Sequence, residues 1–298
     1  MKLLALVVLL YVPEAHAWGL HSHLFFAQYA LFAAPLADPE LRAAVARLPR
    51  LVLAGACLPD LAIVGQFFLR TPVFRRTHLW STLRRISACL RSDSDRALAM
   101  GYATHLLSDV VAHNEFVPEH EARIGDTAMV AHVMSEWAMD AYLRPPLQPA
   151  EALEDAGWLA VEFVARAFRC SELFARRALH ILMRADRLLR ASPVPALCRA
   201  MVRTNRFELY VARTARELGK LETALAGGFE DWSGLDPEGS EGDCSADRRT
   251  REHVARIMQA QHHARGGREQ GERKEQDRER RIVAAADQRE RHRVKGVA

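Results

Sequence analysis

The stretch GYATHLLSDVVAHN, residues 101–114, places three metal-type ligands inside an otherwise apolar run. They are His105, Asp109 and His113, each four residues after the last. Four residues of α-helix turn the chain by about 400°, so the three side chains form one stripe that drifts by about 80° over two turns. Neighbours on the stripe can share a metal ion, whereas the outer two, about 12 Å apart along the axis, suit different ions. An Asp109 that bridges two sites fits this geometry.

The residues around this stripe are apolar and predict a buried helix; they include Leu106, Leu107, Val110 and Val111. A helix with occasional buried polar residues is the simpler interpretation. We disfavour it because burying an aspartate without a partner costs several kcal/mol. A cation would satisfy all three ligands, so the stretch predicts metal binding.

Four more candidate ligands lie outside this helix. His132 and Glu136, in AHVMSEWAMD, are again four residues apart and share one helical face. Asp60, in GACLPDL, lies at a predicted helix start, where its alternative role is an N-terminal cap. His78, in RRTHLW, taken alone indicates a surface histidine or one that supports a metal ligand. Each of these four is weak evidence by itself, and the evidence for metal binding becomes stronger when they are taken together with His105, Asp109 and His113.

The N-terminus, MKLLALVVLLYVPEAHA, has the layout of a secretory signal peptide over residues 1–17. The alternative is an uncleaved anchor, although ten consecutive apolar residues are too few to span a bilayer. Cleavage would free the amino group of Trp18, five residues before His23 at the entrance of an apolar helix. We therefore expect an exported protein, periplasmic or secreted, whose N-terminal amine is available to a metal.

The C-terminal part differs in composition from the rest. Residues 232–298 begin with a Gly-rich linker and continue with mixed charge and few apolar side chains, a composition that predicts disorder. Residues 247–298 contain 15 Lys or Arg and 9 Asp or Glu, so this tail accounts for more than the whole net charge of +4. The basic pI is therefore weak evidence for a nucleic-acid partner.

Helical patterns fill the chain between these two ends, and strand-like alternation is scarce. We predict an all-α fold, a compact multi-helix bundle in one domain over residues 18–231. The predicted helices are Leu24–Ala34, Pro39–Leu53, one from Pro59, Trp80–Leu90, Arg96–Ala112, Ala128–Leu143, Ala150–Phe168, Glu172–Arg190 and Pro195–Ala226.

As an ordered set, these motifs resemble the zinc-dependent phospholipase C family, which shares its all-helical fold with the S1/P1 nucleases. The resemblance implies three zinc ions per chain. It implies one ion held by Asp60, His78, His105 and Asp109; a second by His113, His132 and Glu136; and a third by Trp18, His23 and the bridging Asp109.

The sequence departs from the family at one spacing. Better-known members have more residues between the helix aspartate and the next histidine, usually with a proline, whereas Asp109 and His113 are one turn apart. His120, after Pro118, is therefore an alternative ligand to His113.

The resemblance implies hydrolysis of a phospholipid to diacylglycerol and a phosphorylated headgroup. Asp60 is favoured over Glu136 as the catalytic carboxylate that takes a proton from water. Phe67, Phe68 and Phe74 could touch acyl chains at a membrane surface, or could equally be core residues. The alternatives are a single-strand nuclease with a nucleic-acid substrate and a helical zinc-binding protein without catalysis.

Overall fold

The computed structural model describes residues 19–124, 128–202 and 206–226. The predicted signal peptide, Trp18 and the predicted linker and tail lie outside the described residues. The described part of the chain is helical and contains no strand, which confirms the predicted all-α class. All of it belongs to one compact unit.

The α-helices of the described residues are numbered in chain order. They are α1 Leu20–Ala33, α2 Pro39–Arg47, α3 Pro49–Gly55, α4 Leu61–Ile63, α5 Trp80–Ser87, α6 Asp93–Val111, α7 Val117–Ile124, α8 Ala128–Leu143, α9 Pro149–Ala167, α10 Glu172–Arg190, α11 Val194–Met201, α12 Phe207–Glu217 and α13 Leu221–Leu225. Two π-helical turns, Val64–Leu69 and Ala112–Phe116, follow α4 and α6.

The prediction of one helix over Pro39–Leu53 was wrong, because the chain breaks at Leu48 (φ −127°, ψ 47°). Pro49 disfavours helical geometry for the residue before it and then becomes the first residue of α3. The predicted helix Pro195–Ala226 is likewise divided, into α11, α12 and α13.

Helix α6 lies at the centre of the bundle, and every residue from Ala97 to Val111 is buried. It packs most closely on α3, where two glycines let the backbones meet. A Cβ on Gly55 would lie 2.1 Å from the carbonyl oxygen of Leu98, and one on Gly101 would lie 1.9 Å from that of Val52. The predicted ligand stripe starts one turn after this crossing and is therefore held in the interior.

None of the helices among the described residues has both the length and the apolar character that a membrane crossing requires.

We expect Gly101→Ala to destabilise the protein by about 1–3 kcal/mol, because the added methyl group would push α3 away from α6. The measurement is urea unfolding followed by circular dichroism. Gly219→Ala is the control, since a Cβ there meets nothing within 4 Å; its effect should stay within about 0.5 kcal/mol. Equal stability of the two variants would contradict the close α3–α6 packing.

Candidate metal centre

Five predicted ligands from four parts of the chain meet on α6. His105 and Asp109 come from α6 itself, His23 from α1, His78 from the residues before α5, and Asp60 from the start of α4. All five are at most 2% exposed. Two groups of candidate ligand atoms share His105: one contains His23 and Asp109, the other Asp60 and His78. The five residues therefore form one continuous cluster.

A backbone carbonyl orients the His105 ring. Its Nδ1 atom lies 2.7 Å from the carbonyl oxygen of Ala56, the residue after α3. Because a carbonyl can only accept, Nδ1 carries the hydrogen, and the neutral ring presents a lone pair at Nε2. This arrangement is the one that a histidine ligand to zinc requires.

Ser108 orients His23 in the same way. The Ser108 hydroxyl donates to the carbonyl oxygen of His105 (2.8 Å), so it accepts a hydrogen bond from Nδ1 of His23 (2.9 Å). His23 therefore also presents a lone pair at Nε2. Its ring stacks on that of His105, with centroids 3.5 Å apart and planes at 11°.

Both lone pairs face the carboxylate of Asp109. Oδ2 of Asp109 lies 3.0 Å from Nε2 of His105, and Oδ1 lies 3.3 Å from Nε2 of His23. Two acceptors at such distances repel each other unless a positive charge lies between them. Ligand atoms around a tetrahedral zinc are about 3.3 Å apart, given bonds of about 2.0–2.2 Å. The donor set and its spacing therefore fit zinc on either side of Asp109.

His78 and Asp60 complete this cluster. Nε2 of His78 lies 3.0 Å from Nε2 of His105, 3.7 Å from Oδ2 of Asp109 and 3.8 Å from Oδ1 of Asp60. The alternative surface role of His78 is wrong, because the residue is buried. The alternative capping role of Asp60 is also wrong, since its side chain makes no capping hydrogen bond to α4.

Tyr102 of α6 helps to hold His78 in place. Its hydroxyl donates to the carbonyl oxygen of Thr77, the residue before His78. The Thr77 hydroxyl in turn lies 3.2 Å from Nδ1 of His78. Helix α6 thus supplies the candidate ligands His105 and Asp109, and its Tyr102 positions His78.

A third group of candidate ligands, separate from the cluster around His105, contains His113, His132 and Glu136. Oε1 of Glu136 lies 2.7 Å from Nε2 of His132 and 4.0 Å from Nε2 of His113. His132 and Glu136 come from α8, and His113 comes from the π-helical turn after α6. The turn occupies the place where the sequence departs from the family spacing, and such turns are frequent at functional sites.

The pKa of Glu136 is raised to about 7, and burial is the main cause. The carboxylates of Asp109 and Asp60 act in the same direction, whereas His132 lowers the pKa. A divalent cation favours the ionised carboxylate and opposes the effect of burial. Ionisation of Glu136 and cation binding are therefore coupled.

The structure brings His113, rather than His120, to the α8 ligands. His120 donates from Nδ1 to the carbonyl oxygen of Phe116 (2.7 Å), and its ring lies 4.4 Å from that of Phe116. His120 lies outside the three ligand groups found among the described residues. Trp18, the remaining predicted ligand, lies outside the described residues.

Asp140, which the sequence analysis did not single out, holds the start of α1 against α8. Its Oδ1 atom accepts from the backbone nitrogen (2.8 Å) and the hydroxyl (2.7 Å) of Ser22, and its Oδ2 lies 3.4 Å from the nitrogen of His21. A Cβ on Gly19 would meet the same carboxylate at 2.0 Å. The sequence offered one indication of this position, because Asp140 follows Glu136 by four residues and therefore shares its helical face.

Arg190 of α10 provides a second tie to α1. It donates to Nδ1 of His21 (2.9 Å) and to Oε1 of Gln148 (2.6 Å), and it pairs with Asp186 at 2.9 Å. Together with Asp140, this contact fixes the N-terminal turn of α1 two residues before His23.

The fold and the site together define an all-α protein with a buried cluster of imidazole and carboxylate side chains. Residues 22–166 match the family model for zinc dependent phospholipase C, which confirms the resemblance, and this segment belongs to that family. All the described candidate ligands lie within the matched residues. No curated protein and no solved structure matches the chain.

We expect His105→Ala to lower the zinc content of the purified protein by at least one ion per chain, because His105 belongs to two ligand groups. Loss of zinc should also lower the melting temperature, since zinc stabilises the folded state that binds it. Metal is measured by elemental analysis after dialysis. The control, His180→Ala, removes an exposed histidine. Unchanged zinc in His105→Ala would count against the ligand assignment.

Asp140→Asn should show a pH-dependent gain in stability. Burial raises the pKa of Asp140 to about 7, although hydrogen bonds from Ser22 lower it. Folded Asp140 therefore keeps a proton that the unfolded chain releases above about pH 4, and its contribution to stability falls as the pH rises to about 7. Relative to wild type, Asp140→Asn should gain roughly 1–3 kcal/mol between about pH 5 and pH 8. The measurement is urea unfolding, and a constant difference would contradict this account.

Proposed function

We propose that the protein is a zinc-dependent phosphodiesterase that hydrolyses phospholipids in the manner of a phospholipase C. Water attacks phosphorus, the bond from phosphorus to the glycerol oxygen breaks, and the products are diacylglycerol and a phosphorylated headgroup. The observation that carries this proposal is the continuous cluster of Asp60, His78, His105, Asp109 and His23 inside the family segment.

Bound zinc would polarise a phosphoryl oxygen and lower the pKa of the attacking water. The Nε2 atoms of His23, His78 and His105 lie 3.0–3.7 Å from the carboxylate oxygens of Asp109, so these ligands need little reorganisation. Imidazole and carboxylate donors, unlike thiolates, are not oxidised in an oxidising compartment.

Asp60 is our candidate for the proton acceptor. Its Oδ1 atom lies 3.8 Å from Nε2 of His78, and the residue directly precedes α4. Glu136, the other candidate, lies 2.7 Å from Nε2 of His132. That contact suits a ligand, and the family resemblance also favours Asp60. The proton that Asp60 takes can pass to the departing glycerol oxygen.

We further propose that the protein is exported, that removal of residues 1–17 exposes the amino group of Trp18, and that three zinc ions bind per chain. The ties from Asp140 and Arg190 to the start of α1 support this proposal. They fix the backbone of α1 at His21 and Ser22, directly before the candidate ligand His23.

The test is an assay of zinc-loaded protein on phosphatidylcholine and on single-stranded DNA, with and without chelator. We expect zinc-dependent release of diacylglycerol and phosphocholine. Asp60→Asn should lower kcat by about 10²–10⁴-fold if the carboxylate is the proton acceptor. The control, Asp38→Asn, changes an exposed carboxylate. Hydrolysis of DNA alone would replace this proposal by a nuclease, and no turnover of either substrate would favour a structural metal centre.

A further inference from the structure

The chain on both sides of His78 is strongly cationic. From residue 61 to residue 92 it contains six arginines and no aspartate or glutamate. This stretch starts after Asp60 and includes His78. Within this stretch the charged side chains are therefore all positive.

Apolar side chains are exposed within this cationic stretch. Phe68, in the π-helical turn, is 51% exposed, and Phe67 is half-buried. Arg70 ends the turn in the left-handed conformation (φ 48°), and its side chain is exposed, as is that of Arg75. Phe74 is fully buried, which confirms for this residue the alternative of a core position.

Helix α10 extends this surface. It packs against the π-helical turn, and Phe74 contacts the rings of Phe168 and Phe174 at centroid distances of 5.3 and 5.8 Å. Leu173, next to Phe174, is 79% exposed. Arg169 and Arg176 flank Leu173 and are exposed. We call Phe68, Arg70, Arg75, Arg169, Leu173 and Arg176 the arginine–apolar surface.

One exposed carboxylate, that of Glu172, directly precedes Leu173, yet the arginines of the surface are not paired with it. Arg70, Arg75, Arg169 and Arg176 form no ion pair with any residue that the structure describes. Exposed apolar side chains combined with exposed cationic ones are typical of proteins that bind at membrane interfaces. Guanidinium groups also pair with phosphate through two hydrogen bonds at once.

We propose that the arginine–apolar surface docks onto bilayers that contain anionic phospholipid. The arginines contact lipid phosphates, and Phe68 and Leu173 enter the boundary between headgroups and acyl chains. The choice of a lipid partner rests on the proposed function, and the exposed aliphatic Leu173 favours it over nucleic acid, whose bases stack on aromatic rings. Because Asp60 and His78 flank the docking segment, docking brings the metal centre to the lipid.

The experiment is cosedimentation of the full-length, zinc-loaded protein with vesicles, in the cold, with lipid composition checked afterwards. Vesicles of phosphatidylcholine alone are compared with vesicles that also contain phosphatidylserine. We expect wild type to bind the anionic vesicles at least about tenfold more tightly. Phe68→Ala and the double variant Arg70→Glu, Arg75→Glu should each lose most of this difference.

Two matched variants serve as controls. Phe32→Ala removes a phenylalanine that is 91% exposed on α1, and Arg216→Glu reverses an exposed charge on α12. Both should bind within about twofold of wild type, since single exposed contacts elsewhere contribute little. The charged tail is present in every variant, so differences between variants report on the surface alone.

Hydrolysis of a monomeric, short-chain phosphatidylcholine separates docking from catalysis. The docking variants should turn over this substrate at the wild-type rate. Equal binding of wild type to both kinds of vesicle, or equal losses in the control variants, would overturn the proposal. Specific vesicle binding without hydrolysis of any lipid would refute the proposed function and leave the docking surface supported.

Discussion

The structure depends on a carboxylate buried between two imidazole lone pairs. Asp109 is inaccessible to solvent, and its oxygens face Nε2 of His105 and of His23 at 3.0 and 3.3 Å. Three acceptors in a dry interior are unfavourable unless a cation or protons join them. The hydrogen bonds from the rings to Ala56 and Ser108 direct both lone pairs inward, so the surroundings favour a cation.

Other features of the bundle keep these atoms in place. The glycine contacts between α3 and α6 bring the Ala56 carbonyl to His105. Asp140 ties α1 to α8, and therefore ties one ligand helix to another. Helices thus carry most of the candidate ligands, whereas the segment between Asp60 and His78 is partly exposed and cationic. This division lets a fixed centre lie beside a surface that can contact substrate.

Spacing along single helices allowed most of the site to be predicted. The i, i+4 spacing predicted the pairs His105–Asp109 and His132–Glu136, whose ligand atoms lie 3.0 and 2.7 Å apart. His113 lies in the π-helical turn after α6 and joins His132 and Glu136. Family resemblance, not spacing, joined Asp60, His78 and His23 to α6, because their proximity depends on tertiary packing.

Local sequence patterns could not predict features that depend on residues distant in the chain but close in the fold. Periodicity continues across Leu48, so only the effect of Pro49 on backbone geometry reveals the break. Phe68 and Phe74 are equally apolar and lie in the same segment of the sequence. Phe74 is buried against Phe168 and Phe174, whereas Phe68 is 51% exposed. The role of Ser108 requires knowing that His23 lies opposite it.

The most direct test is anomalous X-ray scattering at the zinc edge from crystals of the zinc-loaded protein. The account predicts anomalous peaks bonded to the carboxylate oxygens of Asp109, with Nε2 of His105 or His23 completing each coordination. Zinc bound elsewhere, with Asp109 bonded to no metal, would contradict it.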